Sequence, residues 1–195
     1  MMELHLIRHG KTLANEQRLY CGQTDLPLSE NGAAEIALMK SQGIYPAAAD
    51  IFFTSGLLRT GQTIDIIYGE VRRKAVPDIA EFKFGVFEMK SYEELKGQED
   101  YQEWITDETG GYECPGGESK NQFERRVIAG FNYILSTVRQ DKLSSAFVSC
   151  HGGTIACIME HLFPNTQNFY EWQPKPGHGY TLIQISGRLQ INKKI

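Results

Sequence analysis

The chain has 195 residues, 41% of them hydrophobic and 23% charged, with a net charge of −4. That length suits one domain able to bury roughly 70% of its unfolded surface, and the mild acidity argues against nonspecific nucleic-acid binding. No apolar run approaches the ~20 residues needed to cross a bilayer, and MMELHLIRHG lacks the basic start and long apolar core of a signal peptide. Four cysteines (Cys21, Cys114, Cys150 and Cys157) form no CxxC pair and no zinc spacing. The expectation is a reducing, cytoplasmic setting with no membrane or nucleic-acid partner.

Along the chain, Glu3 to Ile7 alternates around Leu4, Leu6 and Ile7 and predicts a short strand. The polar, Gly-containing stretch through Leu28 reads as a loop. Ser29-Glu30 opens a helix, with Ser as cap and the acid at the positive end, and Gly43 is its expected stop. Asp50 to Thr54 is a buried strand and Leu57 to Tyr68 a helix. A strand is expected around Pro77 to Phe84, then an acidic helix from Ser91 to Trp104. Ser119 to Arg139 carries the clearest helical pattern, introduced by the Gly-Gly-Glu-Ser of residues 116–119. Ser145 to Ser149 is a strand, Thr154 to Phe163 a helix and Tyr180 to Ile185 a strand. A Ser186-Gly187 turn then precedes Leu189-Gln190-Ile191. Strands alternating with helices predict the α/β class: one domain over residues 1–195, three layers, a mostly parallel central sheet covered on both faces.

Leu6-Ile7-Arg8-His9-Gly10-Lys11-Thr12 ends like a P-loop, but the position five before Gly10 is His5, inside the strand. The loop is too short to wrap phosphates, and no long amphipathic helix follows, so that reading fails. The histidine in the middle has a counterpart. Ala146 to Gly153 is again an apolar strand ending in His-Gly, with a helix after it. Ligands of open parallel sheets sit beyond the carboxyl ends of strands, so His9 and His151 can meet one ligand there. Glycine after each histidine permits close backbone approach, and the helix start at Gly152 favours an anion. His5, His161 and His178 each stand alone and read as structural. A metal site is disfavoured because Arg8 is a fixed cation beside the would-be ligand, and no HxH or HExxH spacing occurs. A cysteine phosphatase would need Arg six residues after its Cys; six after Cys150 is Ala156.

These residues resemble the histidine phosphatase superfamily in its phosphoglycerate-mutase-like branch, over nearly the whole chain. Arg8-His9-Gly10 with Asn15 is similar to the RHG-xxxx-N signature, and Gly22 to Gly32 to the G-x-x-D-x-P-L-(T/S)-x-x-G that follows it. Ser55 to Thr63 resembles S-x-L-x-R-x-x-Q-T, and Glu81 to Gly85 resembles E-x-x-(F/Y)-G. Pro115 to Ser119 matches the loop before a long helix, and His151-Gly152-Gly153 the second histidine motif. Each match alone is weak; six in order are specific.

The resemblance implies a phosphoglycerate-mutase-like fold with a lid-like insertion around 86–118, and phosphoryl transfer to His9 without metal or other cofactor. Arg8, Arg59 and His151 would bind and stabilise the phosphoryl group, with Asn15 and Gly152 as further phosphate contacts. Cys21, Gly22 and Gln23 are additional substrate-binding candidates. Glu81 would be the proton donor, with Glu88 as its rival. Family mutases carry basic residues after the glutamate motif, whereas Tyr92 to Asp107 contains six acidic residues against Lys96. The chain is also short for a mutase. Both features favour a phosphatase for a small phosphorylated metabolite with a neutral or cationic body, in a monomer or homodimer. Length and the Pro-Gly-Gly-Glu-Ser loop most resemble α-ribazole phosphatases, which makes α-ribazole 5'-phosphate one candidate; small broad-specificity phosphatases look similar. Phosphoglycerate mutase and a non-catalytic phospho-ligand binder are the alternatives.

Overall fold

The computed structural model describes residues 2–195. Six strands form one sheet: β1 (Glu3–Arg8), β2 (Ile51–Thr54), β3 (Arg73–Ala75), β4 (Ser145–Cys150), β5 (Gly179–Ile185) and β6 (Arg188–Lys194), in the spatial order β3-β2-β4-β1-β5-β6. The first four run parallel, while β5 is antiparallel to β1 and pairs with β6 as a hairpin. The helices are α1 (Leu13–Glu16), α2 (Glu30–Ser41), α3 (Leu58–Tyr68), α4 (Tyr92–Leu95), α5 (Glu99–Thr106), α6 (Lys120–Gln140), α7 (Gly152–Leu162) and α8 (Phe169–Trp172). No described helix is long and apolar enough to cross a membrane.

Strand periodicity divides the core. Leu4 and Leu6 of β1, Phe53 of β2, and Ala146 and Val148 of β4 share a cluster with Val127, Phe131 and Ile134 of α6 and Ile155 of α7. Their neighbours Ile7, Phe52 and Phe147 face the other way, against Ile36 of α2 and Ile64 and Ile67 of α3. The result is the expected three-layer α/β/α arrangement. The chain leaves β1 for the face of α2 and leaves β4 for the opposite face, that of α7. A crevice therefore opens between these adjacent strands at their carboxyl ends, where open sheets bind ligands.

Three expected elements are corrected. Residues 77–84 form no strand; a short 3-10 turn spans Pro77–Ile79, and a second follows the segment at Gly85–Phe87. Arg126 donates to the carbonyls of Asp78, Ala80 and Glu81, so these groups are satisfied by a guanidinium instead of a neighbouring strand. The acidic helix is broken into α4 and α5 around Gly97. In one continuous helix Leu95 and Tyr101 would sit about 120° apart around the axis, and the break lets both be buried. The loop after β1 contains α1, which Thr12 and Asn15 close as a reciprocal capping box. The sequence reading also passed over β3, a short, wholly exposed edge strand, and α8, a single turn capped by Asn168. At the other edge, β6 is mostly exposed and ends in Lys193 and Lys194.

Gly32, in the first turn of α2, lets that helix press on the segment just after His9. A Cβ there would lie 2.1 Å from the Lys11 carbonyl oxygen. Gly→Ala inside a helix ordinarily stabilises by about 0.5–1 kcal/mol. Gly32→Ala should instead lower the urea midpoint of unfolding; a raised midpoint would show that α2 can withdraw at no cost.

Candidate active site

The parallel register aligns Arg8 with Cys150, and the His9 N–H donates to the Cys150 carbonyl at 3.0 Å. The next residue of each strand is a histidine, and their rings meet edge-on with centroids 5.1 Å apart. Both are buried. His9 Nδ1 lies 2.6 Å from the Gly10 carbonyl, which can only accept, so Nδ1 carries the hydrogen. Nε2 is left with its lone pair, which accepts from Arg59 Nε at 3.2 Å. Burial first, then Arg59 and Arg8, hold His9 well below the usual imidazole range. It is therefore neutral at pH 7 and would stay so on mild acidification.

Arg59 projects from the first turn of α3 and is 1% exposed. Its other nitrogens donate to the carbonyls of Thr24 (2.9 Å) and Gly22 (2.5 Å). Arg8 Nη1 donates to the Pro174 carbonyl at 2.9 Å, while its buried Nε has no partner among the described residues. His151 contacts Ser55 Oγ through Nε2 at 2.8 Å, and its Nδ1 is likewise buried without a partner. An unsatisfied guanidinium N–H of Arg8 beside a second guanidinium, Arg59, makes a cluster suited to an anion. The first turn of α7 adds its oriented N–H groups.

Glu81 reaches the same turn, its Oε2 accepting from the Gly153 N–H at 2.9 Å. A Cβ on Gly153 would come within 2.4 Å of the Glu81 carboxylate, and one on Gly152 within 3.0 Å of the Arg8 guanidinium. Those glycines let acid and cation approach the helix start. Glu88, the rival acid, is occupied elsewhere. It accepts from the N–H groups of Gly22, Gln23, Thr24 and Phe84 and from the Thr24 hydroxyl, which fastens the loop that receives Arg59. Gly22 and Gln23 are thus held through their backbones, with the Gln23 side chain exposed and Cys21 half-buried beside them. Asn15 spends its Oδ1 on Thr12, which turns the amide nitrogen away from that contact.

Of the expected residues, the structure brings His9, His151, Arg8, Arg59, Glu81 and Gly152 together at one crevice, and gives Asn15, Gly22 and Gln23 supporting bonds. His5 pairs with Thr181 and His178 with the Pro176 carbonyl. All four cysteines are free. Sequence reasoning named Glu88 only as a rival acid and Ser55 and Thr63 only within a motif; it missed their part as polar supports, Thr63 accepting from the Gly10 N–H, and it missed the Arg126–Glu118 pair. A Glu eight residues before an Arg across a helix start was the visible trace of that last pair. Among the described residues, no group of three or more His, Cys, Asp or Glu could hold a metal ion.

Comparisons with known proteins follow the same lines. The model of the histidine phosphatase superfamily (branch 1) matches residues 4–192. A protein of Yersinia enterocolitica named "Probable phosphoglycerate mutase GpmB" is 31% identical over 169 residues, covering 83% of this chain and 75% of that one. A crystal structure of phosphoglycerate mutase from Thermus thermophilus superposes with a TM-score of 0.73 at 28% identity, over 100% of this chain and 98% of that one. The α-ribazole phosphatase from Shigella flexneri gives a TM-score of 0.82 at 22% identity, over 98% and 95% of the two chains; at that identity the likeness shows the fold alone.

The Arg126–Glu118 pair holds the backbone that carries Glu81. Glu118 accepts from Arg126 and from the Lys83 N–H, and Arg126 reaches the Glu81 carbonyl at 3.1 Å. Arg126→Gln strands a largely buried carboxylate and should cost about 3–5 kcal/mol. Adding Glu118→Gln should return part of that loss in urea unfolding, and an additive double variant would refute the pairing.

Proposed function

The chain belongs to the histidine phosphatase superfamily, and on that footing we propose that it is a phosphomonoesterase working through a phosphohistidine on His9. The observation that carries this reading is the state of His9: a neutral imidazole, its Nδ1–H fixed by Gly10, its Nε2 lone pair set among buried cations. A phosphoryl oxygen entering the pocket replaces Nε2 as acceptor for Arg59 and meets Arg8 and His151. Nε2 is then free to attack phosphorus while the bond to the ester oxygen breaks. Glu81 gives its proton to the departing alkoxide. In the second half Glu81 takes a proton from water, whose oxygen attacks phosphorus, and His9 leaves as inorganic phosphate forms. The guanidinium groups stabilise charge on the equatorial oxygens throughout. Glu81 is favoured over Glu88 because Glu88 already holds four N–H groups and a hydroxyl.

The substrate is a small phosphorylated metabolite with a weakly charged or cationic body. Segment 86–118, read as the lid, presents Glu93, Glu94, Glu99, Asp100 and Glu103 to solvent. It packs through Tyr101 and Trp104 on Tyr20 and Phe82, next in sequence to Cys21 and Glu81. Those carboxylates disfavour a strongly anionic substrate. α-Ribazole 5'-phosphate fits this class. Phosphoryl transfer to a second hydroxyl is the other reading, favoured by the relatives named phosphoglycerate mutases. A panel of monoesters that includes a ribazole phosphate and both phosphoglycerates separates the two, by phosphate release against isomerisation. We place the protein in a reducing, cytoplasmic compartment.

His9→Ala should abolish turnover of every ester. Glu81→Gln should cost about 10²–10³-fold on alkyl phosphates and under about tenfold on p-nitrophenyl phosphate, whose leaving group needs no proton. Equal losses on both ester types would remove Glu81 from the proton-transfer role.

A further inference from the structure

Ser55 follows β2 and touches no group that the proposed reaction transforms, yet its hydroxyl decides where His151 keeps its hydrogen. Three neighbours surround that hydroxyl: His151 Nε2 at 2.8 Å, Thr60 Oγ1 at 3.3 Å and the Leu57 N–H at 3.4 Å. Thr60 in turn lies 2.7 Å from the Leu57 carbonyl, to which it must donate, because a carbonyl oxygen only accepts. Its hydrogen spent, Thr60 can meet Ser55 only as an acceptor. Ser55 then donates to Thr60 and can meet His151 only as an acceptor. One assignment of hydrogens satisfies all four contacts, and it puts a hydrogen on His151 Nε2. A neutral imidazole has a single N–H, so His151 Nδ1 is left with a bare lone pair, buried and without a partner among the described residues. A lone pair repels the oxygen of an anion; an N–H attracts it.

We propose that Ser55 and Thr60 are positioning residues that lock His151 into the Nε2–H form, so that an anion enters the pocket together with a proton, which settles on His151 Nδ1. This rests on the reading of the crevice as a phosphoryl site. The charged and titratable groups around His151 come from four directions: Arg8 at the end of β1 with His9 just after it, Arg59 on α3, Arg126 on α6 and Glu81 on the loop before α6. Burial, then Arg59, His9, Arg8 and Arg126, hold His151 well below the usual imidazole range in the free protein. It is therefore neutral at pH 7, and a bound dianion offsets the cations and raises its basicity. Between the free and bound values, affinity falls about tenfold for each pH unit of rise, the signature of one coupled proton.

Sulfate is the probe, because it does not titrate near neutrality. Calorimetric titration in two buffers of different ionisation enthalpy counts the protons taken up. Near pH 7 the native chain should absorb about one proton per sulfate, since one nitrogen is open to it. Thr60→Val preserves shape but frees the Ser55 hydrogen to donate to Nε2. His151 then presents Nδ1–H while neutral, and uptake should fall towards zero. Thr60→Ser should restore it. Should Thr60→Val not fold, Ser55→Ala gives the same expected loss, because Nε2 no longer has an acceptor for its hydrogen. Saturable sulfate binding without uptake overturns the coupling alone, and so does uptake that persists in Thr60→Val or, in its place, Ser55→Ala, which would put the proton on His9. No sulfate binding by the native chain overturns the phosphoryl-site reading as well.

Discussion

Arg59 is a buried cation whose hydrogen bonds run to two carbonyl oxygens and an imidazole rather than to a carboxylate. A charge removed from water without a full counter-charge is expensive, and the cost is met by the rest of the fold. Much of the local architecture follows from that. The loop at residues 22–24 bends so that its carbonyls face the guanidinium. Glu88 holds the same loop from behind through its N–H groups. The position of His9 against Arg59 is fixed by β1 on one side and α3 on the other. An anion in the crevice supplies the missing counter-charge, so the cost of burying the guanidinium works in favour of binding.

The sheet makes such a cluster possible at small cost in chain length. β2, β4 and β1 lie side by side and parallel, and each releases a polar residue at the same edge: Ser55, His151 and His9. Three side chains from distant sequence positions meet because backbone register, rather than a dedicated loop, brings them together. Helices α2 and α3 cover one face and α6 and α7 the other, so the crevice has rigid walls. The acid arrives differently. Glu81 stands on irregular chain, and its place depends on Arg126 reaching across from α6 to three carbonyls.

This contrast explains what could be read in advance. His9 and His151 were visible because a strand pattern ended in His-Gly twice, and strand ends have a predictable meaning in parallel sheets. Arg59 and Glu81 came from resemblance to a family; their spacing alone would have left a surface charge and a loop carboxylate. The strand expected at residues 77–84 failed because apolar content says nothing about a distant arginine that takes the carbonyls. The break at Gly97 was similarly hidden, since a helical pattern does not show which of two faces tertiary packing will bury. Ser55 and Thr63 stood in a motif and Glu88 was named as a rival acid, but their supporting roles were hidden: each acts through hydrogen bonds to partners too far away in sequence for a local window to join them.

The outer rim of the sheet has its own logic. β6 closes the fold as a nearly naked strand, a place where backbone groups stand ready to recruit another chain. Its last residues, Asn192-Lys193-Lys194, place two exposed lysines of like charge beside those groups. Two molecules that approached edge to edge there would bring ammonium groups against each other before any rung could form. The lysines of this strand thus disfavour edge-to-edge pairing of two molecules, a consequence separate from the chemistry of the crevice.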